Sequence, residues 1–106
     1  MSLLVKRALP LLKVLVDANP KLKKAIIEHG SPDLIMAISE IVLNMLKGVI
    51  KLTPRQKQRL SRYKEEFRSL ARKNVSVKKK RNLLGQKGGG AGLALLLPLA
   101  ISMLSR

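Results

Sequence analysis

Acid–base or metal chemistry in this sequence would rest on a single histidine, His29, and six carboxylates: Asp17, Glu28, Asp33, Glu40, Glu65 and Glu66. General acid–base catalysis needs positioned groups of tuned pKa. His29 has only Glu28 as an acidic near neighbour and no nucleophile to serve, and beside a helix end it favours the helix dipole instead. The carboxylates show no metal-ligand spacing. With no cysteine in the chain, disulfides, thiol catalysis and thiolate-bound zinc are excluded. The residues therefore predict a protein that is not an enzyme and carries no cofactor and no metal.

Gly88-Gly89-Gly90 is the other pattern with a chemical meaning. A phosphate-binding loop places its glycines after a buried strand and ends in Gly-Lys-Ser/Thr before a helix. Here Lys87 precedes the glycines and no Ser or Thr follows, so a hinge is expected.

What remains is charge. The 106 residues hold 22 Lys and Arg against 6 Asp and Glu, a formal net charge of +16. Residues 1–52 account for +4, residues 53–87 for +11, and residues 88–106 contain only Arg106. The middle segment carries Arg55, Lys57, Arg59, Arg62, Lys64, Arg68, Arg72, Lys73, Lys78, Lys79, Lys80, Arg81 and Lys87, with Glu65 and Glu66 its only acids. A solvated helix face would mix the signs, and self-repulsion on this scale is relieved by an anionic partner. Duplex DNA presents closely spaced phosphates whose neutralisation releases counterions, so these thirteen cations are the expected nucleic-acid contacts.

Sequence-specific readout has little to stand on, since Gln56 and Gln58 are too few for a base-reading array. Aromatic residues are limited to Tyr63 and Phe67, which favours duplex over single strands. Residues 78–81 also read as a nuclear-localisation patch.

The elements that would position these groups are helical, and the fold class expected is all-α: a small helical bundle with a strongly basic helical segment and a hydrophobic C-terminal tail. Asn19-Pro20, Ser31-Pro32 and Thr53-Pro54 each put a capping side chain before a proline suited to the first helical turn. His29-Gly30 supplies a stop. Residues 32–48 carry Leu34, Ile38, Ile41, Val42, Met45, Leu46 and then Val49 at helical spacing, with Ser39, Glu40, Asn44 and Lys47 opposite; this predicts the central core helix. Leu22 and Ile26 mark a shorter one, and residues 3–16 another that Pro10 would shift or kink. From Pro54 to about Lys73 the stripe Leu60, Tyr63, Phe67 and Leu70 predicts a helix docked by one edge, with Glu65 within reach of Arg62 or, more weakly, of Ser69. Ser76 can cap a further short helix that the glycines end.

Three regions result: residues 1–52 as an apolar helical scaffold, residues 53–87 as the basic nucleic-acid-binding segment, and residues 88–106 as a glycine hinge and hydrophobic tail. The tail, residues 91–104, is shorter than the roughly 20 residues of an untilted membrane span. It is expected either to pack on protein or to contact an anionic membrane or a capsid protein. The N-terminal stretch lacks the pattern of a signal peptide.

Leu52-Thr53-Pro54-Arg55-Gln56-Lys57, the run Lys78-Lys79-Lys80-Arg81-Asn82-Leu83-Leu84-Gly85-Gln86-Lys87-Gly88-Gly89 and the apolar tail resemble the small basic proteins encoded beside capsid genes in Polinton (Maverick) elements and adintoviruses; Ser31-Pro32-Asp33-Leu34 belongs to the same likeness. The basic segment and tail also resemble adenovirus core protein X (mu). The resemblance implies a virion core component that condenses double-stranded DNA, located in the virion and the host nucleus. It also raises maturation by a viral cysteine protease: Leu83-Leu84-Gly85-Gln86 fits the first four positions of the adenoviral cleavage pattern, and Lys87 stands where glycine is expected. Expected partners are double-stranded DNA, or RNA, and a second copy of the chain. The alternative reading is a membrane-active or membrane-anchored capsid-associated protein that uses the tail.

Overall fold

A computed structural model of the protein describes residues 2–85 and 87–104, the side chains of residues 87–91 and 104 excepted. The described residues form seven α-helices and one 3₁₀ turn, with no strand among them. In chain order these are α1 (Leu3–Asp17), α2 (Pro20–His29), α3 (Pro32–Leu46), α4 (Pro54–Leu60), the 3₁₀ turn Ser61–Tyr63, α5 (Lys64–Ala71), α6 (Val77–Gly85) and α7 (Lys87–Leu104). The all-α class follows from the local signals. Asn19, Ser31 and Thr53 are N-caps, each accepting from a backbone N–H three residues on, with proline in the first turn that follows. At Thr53 the cap is reciprocal: Gln56 N donates to the Thr53 hydroxyl at 3.2 Å and Gln56 Oε1 accepts from Thr53 N at 2.9 Å. Such a box satisfies two backbone donors left free at a helix start. Ser76 Oγ accepts from Lys79 N at 3.1 Å and opens α6 in the same way.

The core sits on α3, whose Leu34, Ile35, Ala37, Ile38, Ile41 and Val42 are all buried. Full burial of an aliphatic side chain of this size stabilises by roughly 1.5–3 kcal/mol, which makes α3 the element the others are held to. Val5, Leu12 and Leu15 from α1, Ile27 from α2, Phe67 and Leu70 from α5, Leu84 from α6 and Leu93, Leu96, Leu97 and Ala100 from α7 join it in one cluster. All three sequence regions thus share a core. Helices α1 and α7 lie against each other, and α5 and α6 both lie against α3.

Three local expectations are corrected. Helix α3 ends at Leu46, and Gly48, at φ +80°, turns the chain so that Val49 N donates to Asn44 O at 2.9 Å; a left-handed turn residue without a Cβ carries no steric penalty. Leu46 and Val49 are exposed beyond that turn. The single basic helix is instead two helices with a 3₁₀ turn between them, where Ser61 Oγ donates to Gln58 O at 2.6 Å; back-bonding of this kind competes with the regular helical ladder. Finally, the glycine run is helical: α6 stops at Gly85 and α7 already begins at Lys87.

Candidate nucleic-acid interface

The basic segment is displayed by two amphipathic helices whose apolar edge is anchored. Leu60, Phe67, Leu70 and Ala71 are buried and Tyr63 is half-buried, its ring set edge-on to Phe67 at 6.3 Å. With α5 packed on α3 and the Leu60–Ala71 edge buried, the basic side chains of α4 and α5 face water. Arg55, Lys57, Arg59, Arg62, Lys64, Arg68, Arg72 and Lys73 are all exposed, as are Lys78 and Lys79 on α6. The only one of these ten in an ion pair among the described residues is Arg68, whose Nη1 donates to Glu65 Oε1 at 3.1 Å. Glu65 therefore pairs with Arg68 and not with the expected Arg62. An exposed pair at this spacing contributes little, so the surface field stays cationic.

The two other cations of the Lys-rich run belong to the interior. Lys80 is 1% exposed, and its Nζ donates to Ser39 Oγ at 2.6 Å. Ser39 Oγ passes the bond on to Leu70 O, also at 2.6 Å. This chain of contacts ties α6 to α3 and α3 to α5. Among the described residues no carboxylate pairs with the ammonium, and burial pushes the Lys80 pKa below its ordinary value, because removing a charge from water disfavours the charged form. Lys80 cannot reach a phosphate from this position and is not part of the surface.

Arg81 is half-buried and spent in a similar way. Its Nη1 donates to Ile27 O at 2.7 Å, Glu28 O at 3.2 Å and Gly30 O at 2.7 Å. These are carbonyls at the end of α2, where a helix leaves acceptors unpartnered and carries partial negative charge. Arg81 is thus a cap supplied from 51 residues or more along the chain, with its Nη1 committed to the α2 carbonyls. The side chain of Lys87 lies outside the described residues.

The sequence carried a signal for this division. Val77, Lys80 and Leu84 fall on one face of a helix, and Val77 and Leu84 turn that face inward, taking Lys80 with them. Ser39 was expected opposite the apolar face of α3 and is instead buried, as the acceptor Lys80 needs. Gln56 is consumed by the Thr53 cap, while Gln58 stays exposed.

Where the 3₁₀ turn meets α7, an open cleft of about 770 Å³ is lined by Gln58, Arg59, Ser61, Arg62, Tyr63, Ala94 and Leu95. The close approach that forms it depends on Gly92, where a Cβ would fall 2.9 Å from Phe67 Cζ and from Tyr63 Cβ. The apolar tail supplies the far wall while burying Leu93, Leu96, Leu97 and Ala100 in the protein's own core. No helix among the described residues is long and apolar enough to cross a membrane, and no cluster of three or more potential metal ligands occurs among them.

No family model, no curated protein and no solved structure matches this chain.

Proposed function

We propose that this protein is a non-enzymatic, largely sequence-independent DNA-binding and DNA-condensing protein that works by neutralising duplex phosphates. The observation that carries the reading is the set of ten exposed Lys and Arg side chains between Arg55 and Lys79, carried by α4, α5, α6 and the turns between them, whose apolar edge is fixed in the core. A rigid cationic surface of this kind neutralises phosphates with little further ordering of backbone, and each neutralised phosphate releases counterion. The likeness to small basic virion proteins points the same way, with a place in a virion core and in the nucleus as its consequence. The surface offers no array of amides for base edges, so affinity is expected to vary little with sequence.

A membrane role for residues 91–104 would require α7 to withdraw four buried side chains from the core, which is a large cost for a domain of this size. That reading enters as an outcome of the test. Affinity for a random-sequence duplex is measured from low to physiological salt, with heparin as competitor. Six to ten contacts would lower affinity by about 10³–10⁵ between 50 and 200 mM salt, and light scattering would register compaction of the DNA. Weak, salt-insensitive duplex binding together with uptake by anionic liposomes would replace the proposal with the membrane reading.

A further inference from the structure

The cleft beside the 3₁₀ turn has properties that phosphate neutralisation does not require. Its volume, about 770 Å³, lies within the roughly 300–1,000 Å³ typical of sites for small ligands. Arg59 in the last turn of α4 and Arg62 in the 3₁₀ turn are three residues apart, a spacing that puts side chains on one helical edge, and both line the cleft. Both are exposed, and neither is in an ion pair among the described residues, Glu65 being occupied by Arg68. The half-buried Tyr63 and the exposed Gln58 line the same cleft, and α7 contributes the apolar Ala94 and Leu95. Two guanidiniums fit a phosphate. An aromatic ring, an apolar wall and an amide fit a planar heterocycle with polar edges. A nucleotide combines these in one unit, and in a duplex the base is stacked away inside the helix.

We infer that this cleft receives an unpaired nucleotide, its phosphate on Arg59 and Arg62 and its base against Tyr63, between the 3₁₀ turn and α7. The inference rests on the nucleic-acid reading above and adds to it a preference for strand ends, gaps or single-stranded stretches. Aromatic poverty along the chain does not argue against the site, because it needs one ring and Tyr63 is the one beside the cleft.

Tyr63 is the only tyrosine and the chain has no tryptophan, so ultraviolet emission reports on this site directly. The full chain is titrated with a ten-residue oligothymidylate, with a blunt duplex of equal phosphate count, with heparin, and with thymidine monophosphate. The expected result is quenching of tyrosine emission by the oligonucleotide and none by heparin, with the blunt duplex bound but quenching weakly. Quenching by the mononucleotide as well would identify a free nucleotide as sufficient, and quenching by the strand alone would identify a strand. In anisotropy with labelled oligonucleotide, Tyr63→Leu should weaken binding about tenfold while heparin affinity stays within about twofold. The exposed pair Arg59→Gln/Arg62→Gln, which touches no core contact, should abolish the quenching. Tight binding of duplex and heparin with unchanged emission in every titration would overturn the cleft and leave the proposed function standing. Failure of all the polyanions to bind would overturn both.

Discussion

The cations of α4 and α5 and those of α6 are indistinguishable as composition, yet the fold treats them in opposite ways. Arg55, Lys57, Arg59, Arg62, Lys64, Arg68, Arg72 and Lys73 all face solvent, whereas of the four consecutive cations on α6 only Lys78 and Lys79 do. Lys80 is closed inside the core on Ser39, and Arg81 is committed to the carbonyls of α2. The difference comes from the apolar neighbours. On α4 and α5 the stripe from Leu60 to Leu70 is uninterrupted by charge, so the cations can all stay outside. On α6 the inward face defined by Val77 and Leu84 runs through position 80. Charge density along a chain therefore sets an upper bound on surface charge, and the phase of the apolar positions decides how much of it is reached.

The largest effect expected from breaking this contrast is Lys80→Glu. A carboxylate at that position would be closed in beside the Ser39 hydroxyl without a counter-charge, and an uncompensated buried charge costs about 3–5 kcal/mol. A urea melt should show the loss as a lowered midpoint. Arg81→Ala comes next: three carbonyls at the end of α2 lose a charged donor, hydrogen bonds to charged groups being worth about 1.5–3 kcal/mol each and not additive. The expected loss is about 2 kcal/mol, or roughly 10 °C in Tm. In hydrogen exchange it should appear first as faster exchange in the last turn of α2.

Lys80→Met sharpens the comparison through pH. The folded-state pKa of Lys80 lies below its unfolded value, so between the two the unfolded chain binds more protons and stability rises with pH. Below the folded value the full penalty of the buried charge is present; above the unfolded value it is gone. Lys80→Met has no such penalty, so it should be more stable than the natural chain near neutral pH by about 1–2 kcal/mol. The gap should close as pH approaches the ordinary lysine range, and comparing the two melts at each pH cancels the titration of the other lysines. A constant gap would mean that Lys80 stays charged or reaches water. The smallest stability effect belongs to Lys78→Gln/Lys79→Gln, within about 0.5 kcal/mol for exposed substitutions. Its signature is in binding, where the salt dependence for duplex DNA should flatten by about two units of slope. Replacing all of residues 78–81 would mix this loss with the structural ones.

Most of the helical plan was legible because its signals are local. A cap followed by proline at Asn19, Ser31 and Thr53 acts within one turn, and the stripes of α3 and of Leu60, Tyr63, Phe67 and Leu70 follow from period alone. What was not legible depends on partners distant in sequence. Ser39 is buried because Lys80 arrives 41 residues later, and Arg81 is a cap only because α2 ends beside it. The 3₁₀ turn rests on a hydroxyl–carbonyl bond between Ser61 and Gln58, which competes evenly with continued helix. Nor could composition show that α7 would bring Ala94 and Leu95 against Tyr63, since that needs the missing side chain at Gly92 to coincide with the aromatic pair.

The packing of α7 against α1 has a consequence for synthesis. Leu93, Leu96, Leu97 and Ala100 complete a core whose first members are Val5, Leu12 and Leu15, so the interior cannot close until nearly the whole described chain has left the ribosome. Contacts this far apart in sequence form slowly. During that interval α3 has its apolar face uncovered while the cations of residues 55–81 have already emerged beside ribosomal RNA. Premature capture by that polyanion and aggregation through the open core would then compete with folding, and the speed at which the last helix is delivered would set how much protein escapes both.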